Sequence, residues 1–160
     1  MSIWVIAIIV VTIAMVVGPV AMLQPSKRDR RLTELRQVAA QKGIRVRLAS
    51  LQLASGKQDL AVYSLSLPTS DTPYDEWLLI HQSFAHEMHF SGQWDWDSSK
   101  PPAPSRMHEG LQQYIQQADS HIVGIEVTQH SVGVYWSEKG ASVDHIESLL
   151  QQVKDTIILA

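Results

Sequence analysis

Three imidazoles and a carboxylate crowd into nine residues, His-Gln-Ser-Phe-Ala-His-Glu-Met-His, which holds His81, His86, Glu87 and His89. Neutral imidazole nitrogens and carboxylate oxygens are zinc ligands, so His81, His86 and His89 are the candidate metal residues of the chain. The helical zinc motif needs histidines at i and i+4 with a glutamate after the first, and this spacing does not match it. In an extended segment His81 and His89 share a face while His86 points the other way. Surface or core-edge histidines are the simpler reading, and no cofactor is expected. A second group is Trp94 and Trp96 around Asp95. Extended, both indoles face one way. Exposed, Trp94 and Trp96 would be a hot spot for a protein partner. Folded back, they would close the core, which the usual burial of tryptophan favours.

Other chemistries lack their residues. The chain has no cysteine, which excludes disulfides, thiolate catalysis and cysteine-held metals. No Gly-x-Ser-x-Gly elbow, Walker loop or Gly-x-Gly-x-x-Gly turn occurs. No residue is assigned a catalytic role and no small-molecule substrate is indicated. The remaining acids and histidines are scattered, as on a solvated face.

The elements that would carry these groups begin with an apolar run. Ile3 to Leu23 contains no charge, and Thr12 is its one distinctly polar side chain. At ~1.5 Å per residue it matches the ~30 Å hydrocarbon core of a bilayer, so residues 1–25 are expected to form a transmembrane anchor. Charge then sets orientation. From Lys27 to Arg47 eight basic residues face two acids, whereas from residue 48 onward five face fourteen. Lys27, Arg28, Arg30 and Arg31 directly succeed the apolar run and suit an anionic lipid surface. The positive-inside rule places the C-terminal domain in the cytoplasm and the N-terminus outside, in a single-pass protein of a bacterial inner membrane. An acidic body argues against nucleic acid as a partner.

Ser26 with Asp29 resembles a capping box opening a basic juxtamembrane helix over residues 26–43, which Gly43 stops. Residues 44–160 read as one water-soluble domain. Alternation at 44–48, 60–67 and 77–84 predicts three strands. Residues 92–106, with three prolines, predict a long loop. Ser105 is expected to cap a helix over 106–119. Ile122 to Val127 and Val132 to Trp136 predict a hairpin turning at Gln129-His130, and Ser142 caps a last helix. The fold class is therefore α+β: one N-terminal transmembrane helix, then a single domain with a mainly antiparallel sheet of about five strands and about three helices.

The membrane junction resembles a known family. An apolar helix, then Leu23-Gln24-Pro25-Ser26-Lys27-Arg28, then a basic helix ending at Gly43 before a strand, is similar to YajC, the small accessory subunit of the bacterial preprotein translocase. The similarity covers about residues 5–46 and implies translocase association with an N-out, C-in topology. The rest departs from the family: the domain is larger, carries tryptophans and histidines, and lacks the short glycine-containing β pattern.

These features lead to a non-enzymatic accessory or scaffold subunit of a bacterial inner-membrane complex. Its partners would be the lipid bilayer and a larger integral membrane protein complex. The alternatives are a tethered metal-binding or enzymatic domain built on His81, His86 and His89, and a periplasmic domain on an uncleaved anchor.

Overall fold

Alternating side chains in the second half of the chain line up into strands whose two faces are covered differently. A computed structural model describes residues 2–22, 26–82 and 90–159, apart from the side chains of Val16 and of residues 18–22. The strands are β1 (Arg45–Leu53), β2 (Gly56–Ser66), β3 (Trp77–His81), β4 (Trp94–Trp96), β5 (Ile122–Val127) and β6 (Ser131–Trp136). They form one six-stranded sheet in the order β1-β2-β6-β5-β3-β4, with every neighbouring pair antiparallel. The helices are α1 (Ile3–Met22), α2 (Lys27–Gln41), α3 (His108–Gln117) and α4 (Val143–Leu159), with a single 3-10 turn at Ser105–Met107 before α3.

Two compact units divide the chain, Met1–Glu34 and Leu35–Ala160. The first holds α1, whose described side chains are exposed and apolar on all sides, from Ile3 at 78% and Trp4 at 76% to Met15 at 74%. It also holds the start of α2. Ser26 and Asp29 cap that helix reciprocally: the Asp29 amide donates to Ser26 Oγ at 3.2 Å, and the Ser26 amide donates to Asp29 Oδ2 at 3.1 Å. The Ser26 hydroxyl, donating to Asp29 Oδ2 at 2.6 Å, and then the Ser26 amide hold the Asp29 carboxyl below its ordinary range.

The second unit is the folded body. One face of its sheet presents Tyr63, Leu65, Trp77, Leu79, Ile125, Val134 and Trp136 to Leu111 and Ile115 of α3 and to Ile146, Leu150 and Val153 of α4. The α4 residues recur at helical spacing, so a single stripe is buried. On the opposite face Leu51, Leu60, Val62, Leu78, Ile80 and Tyr135 form a second apolar cluster. No helix is needed to cover it, because the sheet coils over itself. β2 pairs with β6 only from Ala61 to Ser66, which frees the far half of the β1–β2 hairpin to bend. Gly124 on β5 has no side chain, and a Cβ there would sit 3.5 Å from Leu51 of β1, three strands away in the sheet order. Leu51 is thereby only 3% exposed.

This architecture corrects several expectations. The sheet has six strands rather than five, because Trp94–Trp96 pairs with β3 inside the segment read as a proline-rich loop. The compact unit that holds the sheet starts at Leu35, within α2. Ser105 makes no side-chain cap; the helix opens through the 3-10 turn instead. The transmembrane reading of residues 1–25 is also corrected: among the described residues no helix is long and apolar enough to cross a membrane. The single-pass, inner-membrane assignment falls with it. So does the N-out orientation with a cytoplasmic domain, since the positive-inside rule assigns sides only to a segment that spans.

The second face carries a titratable tyrosine whose behaviour is set by its burial. Tyr135 is 5% exposed and donates to Glu126 Oε2 at 2.9 Å. Burial, then the Glu126 charge, pushes its hydroxyl up from 10.0 to about 12. The neutral phenol therefore favours the folded state fully below pH 10.0, and this contribution disappears as pH rises through about 12. Tyr135 should account for about 2 kcal/mol of the unfolding free energy that the wild-type chain loses over that interval, the raised Tyr63 hydroxyl adding its own share. Tyr135→Phe should lack the Tyr135 share of that alkaline loss and be about 1 kcal/mol less stable at neutral pH. Urea titrations of both chains across this range are the check, and equal alkaline losses would refute the assignment.

Candidate binding groove

Two buried acids hold two of the arginines that line a concavity of the folded unit. Glu126, 5% exposed, lies on one face of the sheet; Glu138, 9% exposed, comes after the last strand on the other side. A buried carboxylate requires a cation and hydrogen-bond donors. Each acid has the same two kinds of partner. Glu138 accepts from Arg36 Nε at 2.8 Å and Nη2 at 2.9 Å, a forked pairing, and from the Tyr63 hydroxyl at 2.9 Å. Glu126 accepts from Arg47 Nη2 and from the Tyr135 hydroxyl. Burial and Glu138 push the Tyr63 hydroxyl above its ordinary range. The Glu138 hydrogen bonds raise the Arg36 guanidinium; at Arg47 burial acts downward and is outweighed by Glu126.

Local sequence makes room for these triads. Glu138 adopts a left-handed backbone with φ 59°, which turns its side chain back under Tyr63. Glu126 lies flat across Gly133 of β6: a Cβ at Gly133 would stand 3.1 Å from Glu126 Oε1 and 3.0 Å from Val62 Cγ1. A third contact fixes the end of α2. Lys42 Nζ bridges Asp144 at 2.8 Å and Glu147 at 2.6 Å, in the first turns of α4, and these acids raise its ammonium above the ordinary range.

The two triad arginines, Arg36 and Arg47, help to line a groove of about 1330 Å³. Its lining includes Arg36 from α2, Arg45 and Arg47 from β1, Ser64 near the end of β2, Tyr74 from the β2–β3 connection and His130 from the β5–β6 turn. Arg36 and Arg47 keep 38% and 50% of their side-chain surface exposed even while paired. Arg45 is exposed, and β1 is an edge strand, bonded along its length to β2 alone.

The residues singled out from sequence lie elsewhere. His81 ends β3, half-buried, with its ring 5.2 Å from Trp94 in an edge-on contact. His86, Glu87 and His89 fall outside the described residues. Among the described residues no group of three or more His, Asp or Glu side chains is placed to hold a metal ion. Trp94 is 6% exposed and Trp96 half-buried; Trp96 stacks edge-on against Trp77 at 5.7 Å and lies 4.8 Å from Phe90. Lys27, Arg28, Arg30 and Arg31 are exposed along the first half of α2.

One other polar cluster lies beside Gly140. Asp119 accepts from the His121 amide and from His121 Nδ1, each at 2.8 Å, and these bonds with the nearby His145 hold its carboxyl below the ordinary range. Among the described residues, Ser137 Oγ and His145 Nε2 are buried without a hydrogen-bond partner. A nucleophile requires a hydrogen bond to its base, and Ser137 makes none to a histidine ring.

The triads, by contrast, escape sequence reasoning. Their members stand 102, 75 and 79 positions apart, and a lone glutamate in a strand reads as solvated. The available signal is Glu126 in an otherwise apolar strand, Ile-Val-Gly-Ile-Glu-Val, beside Arg47 in a strand of alternating arginines. The Gly133 contact is the sharpest test of this packing. Gly133→Ala forces Glu126 and Val62 apart and should destabilise the fold by about 1–3 kcal/mol. A Gly133→Ala chain with unchanged urea midpoint would show that Glu126 is not confined there.

No protein-family model matches this chain, and neither the curated proteins nor the solved structures contain one similar to it.

Proposed function

We propose that the chain is a non-enzymatic accessory or scaffold subunit of a larger integral membrane protein complex, in which α1 docks on a partner protein and the unit 35–160 serves as the interaction domain. The observation that carries this is the surface of α1. Ile3, Trp4, Ile6, Ile8, Ile9, Val10, Val11, Ile13 and Met15 are all exposed, and they surround the helix rather than forming one stripe. A contiguous apolar surface of this kind marks an interaction site. Thr12, its polar exception, satisfies its hydroxyl on Ile8 O at 2.8 Å and so presents no free donor to a partner.

Two further points support the reading. The most buried charged groups of the folded unit are spent on structural pairing, as in the Arg36–Glu138–Tyr63 and Arg47–Glu126–Tyr135 triads. The similarity of residues 5–46 to YajC makes a preprotein-translocase assembly the first host to test.

The test is purification of the tagged full-length chain in mild detergent, beside an Ile9→Asp/Ile13→Asp variant. The wild type should elute with an integral membrane protein at fixed stoichiometry, and the double variant should lose at least about tenfold of it, since two buried charges cost several kcal/mol. A wild-type chain eluting alone, or a variant that retains the complex, overturns the proposal.

A further inference from the structure

The groove lined by the triad arginines is unusual for its charge. The chain is acidic from residue 48 onward, yet three guanidinium groups, Arg36, Arg45 and Arg47, line one concavity against a single carboxylate, Asp71. Two of them are held in place. A buried glutamate grips one side of Arg36 and of Arg47, so their conformations are set before any ligand arrives. Pre-set guanidinium groups recognise planar carboxylates well, because little side-chain freedom remains to be lost on binding. Arg45, exposed between them in sequence, supplies a charge that no described acid neutralises.

The same place also offers main chain. Arg45 and Arg47 belong to β1, whose outer edge pairs with no described strand. From Leu48 to Leu53 that edge carries neither a charge nor a proline, the usual devices that keep other strands away. Leu48 is 68% exposed on it. The opposite edge of the sheet is the three-residue β4, too short to serve as a template. Ile44, Val46 and Leu67 add apolar lining beside the arginines.

We infer that this groove and the β1 edge together form a docking site for an extended, glutamate- or aspartate-rich polypeptide segment, which adds as a strand beside β1 and places its carboxylates on Arg45, Arg47 and Arg36. The edge provides the main-chain hydrogen bonds of strand addition, and the guanidinium groups select acidic side chains. This deepens the interaction-domain reading given above, but uses a surface independent of α1.

The probe is a fluorescently labelled hexaglutamate peptide titrated with the purified full-length chain, with binding read by anisotropy. Saturable binding is expected, weakened by added salt because the contacts are charged. Arg45→Ala should weaken it about tenfold while leaving the circular dichroism spectrum unchanged. A hexaglutamate methylated on alternate backbone nitrogens should also bind less tightly, since it cannot complete the strand pairing, and hexalysine should not bind. The Ile9→Asp/Ile13→Asp chain should bind like the wild type, which separates failure of this site from failure of α1 docking. No binding, equal binding by Arg45→Ala, or equal binding of the methylated peptide overturns the inference. Complete displacement by inorganic phosphate at equal concentration overturns it too, by reducing the groove to a bare anion site.

Discussion

Two largely buried carboxylates dictate much of what surrounds them. Moving an ion of this kind from water to an apolar interior costs several kcal/mol, and only a close cation with additional donors offsets it. The chain meets that requirement twice, with the same residue types, on opposite sides of one sheet. Each solution ties together parts of the chain that local structure would leave apart. Arg36 binds α2 to the loop after β6. Arg47 binds the edge strand to β5, across two intervening strands. Removing either arginine would leave a buried charge uncompensated, which is why the pairings act as constraints on the fold rather than as surface ornaments. The Lys42 bridge to Asp144 and Glu147 is different in kind. It is solvent-accessible, so its contribution is small, although it fixes the same helix end.

The glycines of the sheet answer the same demand. A carboxylate laid flat over a strand requires that the strand carry nothing there, and Gly133 meets that need beneath Glu126. Gly124 does the equivalent for Leu51 and lets the β1–β2 hairpin curl onto the second face. The curl buries an apolar cluster without a covering helix, so the sheet is two-sided with helices on one side only. It also leaves the outer edge of β1 unpaired next to the groove.

Much of this was legible from residue patterns. Alternation marked residues 44–48 and 60–67, parts of what became Arg45–Leu53 and Gly56–Ser66, and the hairpin of Ile122–Val127 with Val132–Trp136, because strands half-covered by helices must alternate. Helical spacing marked Ile146, Leu150 and Val153, and Ser142 Oγ does accept from the His145 amide at 3.3 Å. β4 was hidden: three residues are too few for periodicity, and the nearby prolines dominate the local composition. The triads were hidden for another reason. Nothing in a window around Glu126 or Glu138 announces a partner some eighty or a hundred positions away. Scattered acids therefore read as a solvated face, while two of them are interior. The apolar run at the N-terminus was legible as apolar, but apolarity specifies only that a surface is to be covered, and not by what.

That distinction bears on how charge should be read in this chain. The excess of acids after residue 48 suggests a body that repels anions, and at long range it does. At close range the count misleads, because Glu126 and Glu138 are internal counter-ions that neutralise part of two arginines and orient the rest of each. Binding an acidic segment at the groove would then require no change in the fold: the guanidinium positions are already determined by interactions needed for folding. A recognition surface constructed this way has low reorganisation cost, and its geometry persists as long as the buried carboxylates stay paired. Stability and recognition thus rest on the same two glutamates, neither of which would touch the ligand.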